Sequence, residues 1–579
     1  MLPSDGFFRN VYFQPYNDRG SARVINSSKN SKHFVQRLGL EKTLEIHQGC
    51  VNSVNWNDSG SLLLSAGDDY HLVITNPFTH TVCVDYKTQH KTNIFCAKFL
   101  PTTDNRVISC SADGAVLNLD LEKLKETEQN FFYCHSAPCY KLETIHDEPN
   151  IILSCSEDGT VRQYDLRTNV KCTKRSCDDN KLVDCGIPVS TIAISPVKPY
   201  QLAIATVDGM VRIVDRRKIM KNGLFQKIET EFAFTVPSLS HRAYRITSLA
   251  YSPDGRDVLA SYSNEDIYLF SLHNNPYFCT DNCANDFLEN PPNPPPYRRI
   301  RLKGDWGDTG PLARPFTDNF FRPRTRSEAS VDVLSDILID VFNTPSLISV
   351  VMQNPRSNYS PEVTASLRRI LSKIVQQGEF IVPSHIFTNY LAIENTNSNE
   401  NNIVPSTSNS NNQRDENRVN IYKKPPVFDD FIKLQSIKKR YRGHRNTRTL
   451  FKEATFWGND FIMSGSDCGH LFVWDRYTCE IVMLQTADSR VVNCIQPHPS
   501  RLLLATSGVD HNVKLWSPQS DIYNMIPELY IKEIAESNTL MVEQSRDTIT
   551  VSPLIIMRML LYFNKLGQSG FLDRTNTIE

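Results

Sequence analysis

Two short runs in this 579-residue chain place an arginine two residues past an aspartate: Tyr164-Asp165-Leu166-Arg167 and Val214-Asp215-Arg216-Arg217. A guanidinium is a planar fork of donors that grips carboxylates bidentately and stacks on aromatic rings. Two forks at one register suit the gripping of a protein surface. A second candidate set is His with Asp. His47, His90, His135, His241 and His444 each lie 28 to 30 residues before a recurring bulky position, and His498 follows less regularly. A His–Asp pair is the usual equipment of general acid–base chemistry. Cys279 and Cys283 have the spacing of half a zinc site, but no second pair or His cluster lies near them in sequence. No metal site and no cofactor is expected.

These residues sit in repeated elements. The segments SAGDDYHLVITN (65–76), SCSADGAVLNLD (109–120), SCSEDGTVRQYD (154–165), ATVDGMVRIVD (205–215), SYSNEDIYLFS (261–271), SGSDCGHLFVWD (464–475) and TSGVDHNVKLWS (506–517) share one grammar. Small residues precede an acidic turn, alternating apolar residues follow, and a bulky residue ends the unit. The alternation is the period-2 signature of strands, and the acidic-Gly pairs are hairpin turns. The bulky positions are Thr75, Leu119, Tyr164, Val214, Phe270, Trp474 and Trp516, with spacings of 44, 45, 50, 56, 204 and 42. Six residues before the bulky position stand Asp69, Asp113, Asp158, Asp208 and Asp510, replaced by Asn264 and Cys468 in the other two units.

This pattern resembles the WD-repeat β-propellers over roughly 43–271 and 440–517. The resemblance implies a buried hydrogen-bond network in each blade, built from the upstream His, a strand Ser, the turn Asp and a Trp. Carried onto this chain, the network residues are His47, Asp69, His90, Asp113, His135, Asp158, Asp208, His444, Trp474, Asp510 and Trp516. They are then structural rather than catalytic, and several networks are truncated because only two units keep the Trp. Seven units imply an all-β, seven-bladed WD-repeat propeller that closes into a ring. The chain after Trp516 lacks a convincing outer strand, whereas LEKTLEI before His47 reads as one. Residues near 41–46 are therefore expected to complete the last blade.

The 204-residue spacing marks a long insertion. It contains PPNPPP (291–296) and the Asn-rich run at 395–420, compositions that cannot bury enough apolar surface to order themselves. SVDVLSDILIDVFN (330–343) and EVTASLRRILSKIV (362–375) have helical spacing. The insertion begins after the third strand of the fifth unit, and the outer strand of that unit resumes near FIKLQSIKKRY. It should leave the rim that carries the arginines, one blade further round. Ser552 to Leu566 reads as an amphipathic C-terminal helix, and residues 1–33 show little regular pattern. The expected division is an N-terminal segment (1–40), blades 1–5 (41–271), a largely disordered insertion (272–430), blades 6–7 (431–518) and a helical tail (519–579).

The two Asp-x-Arg runs resemble the WDxR box of substrate receptors for cullin-4-type RING ubiquitin ligases, with Tyr164 and Val214 in place of Trp. The resemblance implies that Asp165, Arg167, Asp215 and Arg217 dock to the triple-propeller, damaged-DNA-binding adaptor of those ligases. Part of 1–42 would order on docking. The blocks YRGHRNTRTLFKEATFWGNDFIMSGSDCGHLFVWD and VVNCIQPHPSRLLLATSGVDHNVKLW are similar to the receptors of this class that carry an IQ motif beside WD repeats. An IQ segment binding calmodulin is matched here only by Ile437, Arg442 and Gly443, with Lys438 and Thr447 departing, so calmodulin is not an expected partner. LRRIL (367–371) comes close to the LxxLL box of nuclear-receptor partners.

A formal charge of −1 gives no global pull toward nucleic acid or anionic lipid. No run approaches the roughly 18 apolar residues of a membrane span; PLIIMRMLLYF is short and contains Arg558. Fifteen scattered cysteines without an export signal read as reduced thiols. The basic run KKRYRGHRNTR adds a candidate import signal, so nucleus and cytoplasm are the expected compartments. No phosphate-cradling GxxxxGK loop or nucleophile elbow is present. The expected function is a non-catalytic substrate receptor that brings unknown target proteins to the ligase; the alternative is a scaffold outside ubiquitination, such as a nuclear-receptor or calmodulin-linked coregulator.

Overall fold

The computed structural model describes residues 11–12, 20–127, 130–168, 171–174, 177–219, 230–236, 244–272, 299–302, 434–435, 437–447, 449–518, 527–546 and 548–551. The chain divides into two compact units, Met1–Asn293 with Tyr422–Val542, and Pro294–Ile421 with Glu543–Glu579. In the second unit the described strands Arg299–Leu302 and Thr548–Val551 pair in parallel.

The first unit is a seven-bladed β-propeller of antiparallel sheets. Blades 1, 2 and 3 span 51–87, 94–132 and 139–184; blade 4 spans 189–234; blade 6 spans 454–486. Blade 5 takes its first three strands from 246–271 and its outer strand, Ile437–Tyr441, from beyond the insertion. The returning chain first adds Leu434–Gln435 in parallel to the outer strand of blade 4, a fifth strand that no repeat pattern announced. Blade 7 takes three strands from 492–517 and its outer strand from Gly39–Leu44, paired antiparallel with Val513–Ser517. The first and last strands of the propeller thus share one sheet, so opening the ring would break that ladder.

The core is a set of apolar layers between neighbouring blades. Leu44, Val51, Trp56, Leu63, Cys494 and Leu515 form the seam of blades 7 and 1. Alternation supplies these layers, because successive strand residues face opposite neighbours. The turn between second and third strands needs a left-handed residue, supplied at Gly159 with φ +82°.

Two helices fall where no helical pattern was legible. Helix α1 (Gly20–Lys29) and the single turn α2 (Lys32–Val35) precede the closing strand. GSARVINSSK is a weak helix former with Gly, three serines and β-branched residues, so its order comes from docking rather than propensity. Leu124–Thr127 forms a further turn, α3, and α4 spans Glu528–Arg546. The segment expected to form the C-terminal helix, Ser552–Leu566, lies outside the described residues, as do the helical runs of the insertion and its Pro- and Asn-rich segments. No helix among the described residues is long and apolar enough to cross a membrane.

A candidate docking rim

In an antiparallel blade the connections from first to second strand and from third to fourth strand emerge on one face. Arg167 and Arg217 sit in third-to-fourth connections of adjacent blades, just past Thr160–Asp165 and Val211–Asp215. Local chemistry fixes their register. The Asp165 carboxylate accepts the backbone N–H of Arg167 at 3.0 Å, an Asx turn closing the strand end. The same carboxylate accepts Nε at 2.9 Å and Nη2 at 2.7 Å from the Arg167 guanidinium. Asp215 repeats the arrangement on Arg217, with 2.9 Å to the backbone N–H, 3.1 Å to Nε and 2.8 Å to Nη2. Donation from the arginine holds each aspartate below its usual carboxylate pKa.

Both guanidiniums remain open to solvent, with side-chain exposures of 65% for Arg167 and 64% for Arg217. Arg217 also lies over the Tyr200 ring, 3.6 Å from its centroid. Between them Arg216 is a strut: it donates to Pro199 O at 3.2 Å in its own blade, and to Gln163 Oε1 at 3.5 Å and Glu148 Oε2 at 3.3 Å in blade 3. The two turns are therefore tied together on one rim. The same Asx turn recurs at Asn76 with Phe78, Asp120 with Glu122, and Asp475 with Tyr477. Phe78 and Tyr477 thus occupy the Arg167 register in blades 1 and 6, and both are exposed. Sequence reasoning missed these two aromatics, although an Asn or Asp two residues before them was the readable signal.

The N-terminal helices lie on this same face. Lys29 Nζ donates to the carbonyl of His498 at 2.7 Å, in the first connection of blade 7, and stands 5.6 Å from the Trp457 ring centroid. Burial lowers the Lys29 pKa to about 8. Asn30 Oδ1 accepts the backbone N–H of Asn459 at 2.8 Å, in the first connection of blade 6.

The blade networks divide in an unexpected way. His47 bonds Asp69 at 2.9 Å and Ser65 at 2.8 Å; His135 bonds Asp158 at 2.9 Å and Ser154 at 2.6 Å. His90 bonds Ser109 at 2.9 Å and approaches Asp113 at 3.5 Å. These three blades keep the His and lack the Trp. Blades 6 and 7 keep the Trp without a working His. Trp474 Nε1 donates to Arg442 O at 2.9 Å, and Trp516 Nε1 to Thr506 Oγ1 at 2.8 Å.

The remaining blades depart from the expected network. His444 packs edge-on against Trp474, but both its ring nitrogens are buried without a partner, and burial lowers its pKa to about 4. In blade 6, where Cys468 replaces the turn aspartate, the neighbouring Asp467 is the acid, and it pairs with the buried Lys452 at 2.8 Å. His498 belongs to no network; it bonds Gly60 O at 3.0 Å across the ring seam. In blade 7 Asp488 stands where the histidine should be, and the next backbone N–H, Ser489, reaches Asp510 at 2.7 Å. In blade 4, which has no histidine, Arg212 on the third strand reaches Asp208 at 2.8 Å instead. His241 lies outside the described residues.

Ile437, Arg442 and Gly443 are not on a helix. Ile437 lies in the outer strand of blade 5 and packs against its core, while Gly443 turns at φ +101° and gives its carbonyl to Asn538 of α4 at 2.8 Å. An IQ helix would require that strand to leave its sheet. LRRIL, Cys279 and Cys283 lie outside the described residues. The central channel is lined by ion pairs, Lys98 with Glu143 at 2.6 Å and Lys141 with Glu453 at 3.3 Å, and by no described histidine.

Comparison with known proteins agrees with this architecture. The WD domain, G-beta repeat family matches residues 39–76, 126–165 and 479–517. Each match runs from the outer strand of one blade through three strands of the next, the offset that the ring closure requires. The chain is 28% identical to human DDB1- and CUL4-associated factor 6, over 92% of this chain and 93% of that protein. It is 25% identical to human WD and tetratricopeptide repeats protein 1, over 89% of each, and 24% identical to Protein ALTERED SEED GERMINATION 2 of Arabidopsis thaliana, over 89% of this chain and 92% of that protein. The chain thus has the fold of a seven-bladed propeller with three WD-repeat matches, and it is similar along most of its length to a protein named as a DDB1- and CUL4-associated factor.

Proposed function

We propose that this protein is a substrate receptor of a cullin-4-type RING ubiquitin ligase, a non-catalytic part that holds target proteins beside the ligase. The observation that carries the reading is the pair of exposed, aspartate-oriented guanidiniums on adjacent blades of one rim. Similarity to a protein named for association with DDB1 and CUL4 supports the same partner. The N-terminal helices share that face, so a single large adaptor could meet the arginines, the exposed aromatics and the segment before the first blade together. The gain is one of effective concentration: a tethered target meets the ligase without a new encounter. The opposite face and the insertion remain for the target, and the basic run at 438–448 is consistent with work in nucleus and cytoplasm.

Arg167→Ala with Arg217→Ala tests the reading by affinity purification from cells. Recovery of DDB1 should fall at least about tenfold, the loss of about 1.4 kcal/mol or more expected when rim anchors are removed. The thermal midpoint should fall by no more than a few degrees, because both guanidiniums are exposed and only the Asp215 carboxylate beside Arg217 is buried. Undiminished DDB1 in the double variant refutes this role for the rim.

A further inference from the structure

Three cysteines that sequence spacing does not connect meet at the outer edge of blades 2 and 3. The Sγ atoms of Cys134, Cys172 and Cys177 all lie within 4.8 Å of one another. We propose that they form, with Asp179, a structural zinc site.

The backbone builds this meeting. Cys134 follows Phe131–Phe132, the outer strand of blade 2. Cys172 lies in the long connection after Arg167 and is laid along that strand: its N–H donates to Phe131 O at 3.0 Å, and its carbonyl accepts Tyr133 N–H at 2.9 Å. Cys177 closes the same connection before blade 3 resumes at Lys181. Cys134 and Cys177 are buried in an apolar layer with Phe132 and Tyr164, and Cys172 is half-exposed, which leaves a path for an ion.

Distances fit the ion. A Zn–S bond of about 2.3 Å in a tetrahedron puts sulfurs about 3.8 Å apart. The three sulfurs need close in by about 1 Å at most. The fourth ligand stands at the exposed edge of the group, with Asp179 Oδ2 at 3.7 Å from Cys177 Sγ, and its carboxylate would swing inward to complete the tetrahedron with Cys134 and Cys172. A sulfur and a carboxylate oxygen on one zinc stand about 3.5 Å apart. Asn180 Nδ2 lies 3.6 Å from Cys134 Sγ and would donate to that thiolate as an outer partner.

A second observation points to an anionic centre. Arg162 is 2% exposed, gives Nη1 to the Cys177 carbonyl, and has an Nε without a partner. Loading Zn²⁺ releases three thiol protons, and three thiolates with one carboxylate leave the centre doubly negative. The buried guanidinium offsets one of those charges. The connection that leaves Arg167 would then be held to blade 2 by the metal as well as by the backbone pairing of Cys172. Soft thiolates with one carboxylate select zinc over calcium or magnesium.

The test uses the full chain made in zinc-supplemented cells, purified without chelator, with metal measured by mass spectrometry. Wild type should carry about one zinc per chain. Cys279→Ser with Cys283→Ser, and Cys83→Ser, should keep it; Cys172→Ser should lose it. Cobalt added to the stripped wild type should give thiolate-to-cobalt charge-transfer bands and the visible bands of tetrahedral Co²⁺. The cobalt spectrum needs no variant, so the proposal stays testable if Cys172→Ser fails to fold. Below about a tenth of an equivalent of zinc with no cobalt bands overturns the site. So does a disulfide between any two of the three cysteines, or zinc that survives Cys172→Ser but not the Cys279/Cys283 change.

Discussion

Asp467→Asn is the sharpest probe of how blade 6 holds together. Lys452 and Asp467 are both fully buried and 2.8 Å apart. Lys452 has three N–H donors, and the structure offers Asp467, Val492 O at 2.9 Å and Asn493 Oδ1 at 3.4 Å to receive them. Burial opposes both charges and is the first cause on each group. On Asp467 the neighbouring Lys452 and Arg445 outweigh it, and its pKa falls to about 2; on Lys452 burial wins and the pKa drops below the ordinary value. Asn preserves the acceptor for the Thr447 N–H while removing the charge. A buried ammonium left without its counter-charge costs roughly 3–5 kcal/mol. At about 1.5–2 °C per kcal/mol for a domain of this size, the thermal midpoint should fall by roughly 5–10 °C. The folded pKa lies below the unfolded one, so this contribution is present above about pH 4 and is lost as the pH falls toward 2. The gap between variant and wild type should close over that interval. Lys452→Met with Asp467→Leu removes both charges and should be closer to wild type than Asp467→Asn. Differential scanning fluorimetry from pH 2.5 to 7.5 reads all three. A midpoint change under about 1 °C in Asp467→Asn, or a double variant worse than the single one, refutes the argument.

Two further outcomes follow from the networks. His135→Ala leaves Asp158 and Ser154 short of a buried partner and should cost roughly 2–3 kcal/mol, whereas His71→Ala, at an exposed pair with Asp85, should cost under about 1 kcal/mol; equal thermal shifts would contradict the structural role. Asp488 has its pKa raised to about 6, chiefly by burial, with Asp510 beside it. A carboxyl whose folded pKa exceeds the unfolded one loses stability as the pH rises from about 4 through 6. Asp488→Asn should flatten that decline and match or exceed the wild-type midpoint at pH 7.5; a lower midpoint with the slope intact would show that the charge is not the burden.

The propeller was legible because strand alternation and turn chemistry repeat seven times, so noise at any one unit is averaged out. The register of the two arginines was legible too, since an Asx turn is local: Asp165 and its own Arg167 fix it within three residues. What escaped the sequence was long-range. Helix α1 has no propensity of its own and exists through Lys29 and Asn30, which reach loops more than 400 residues away. Blade 6 was legible as a blade but its network was not, because the segment between His444 and the strand Ala454–Trp457 is longer than that between His47 and Val51–Trp56, and Asp467 takes the acid's role. Cys134, Cys172 and Cys177 share no sequence spacing, and only the path of one long connection unites them.

The aspartates of the rim deserve as much weight as the arginines. Each Asp–Arg pair is close to neutral as a unit, and the whole chain carries a formal charge of −1, so long-range attraction contributes little to finding a partner. What the pair supplies is order before contact. A free arginine side chain carries about 2 kcal/mol of rotamer entropy. Here two donors of each fork are already spent on the aspartate, and Arg217 is further held on Tyr200. The donors that remain face outward in one orientation, beside a rim that also presents Phe78 and Tyr477. Arginine and tyrosine are the side chains through which interfaces concentrate their binding energy. On the proposed reading of this face, its partner would therefore be selected by shape and by carbonyl or aromatic groups placed to meet fixed forks, not by an acidic patch.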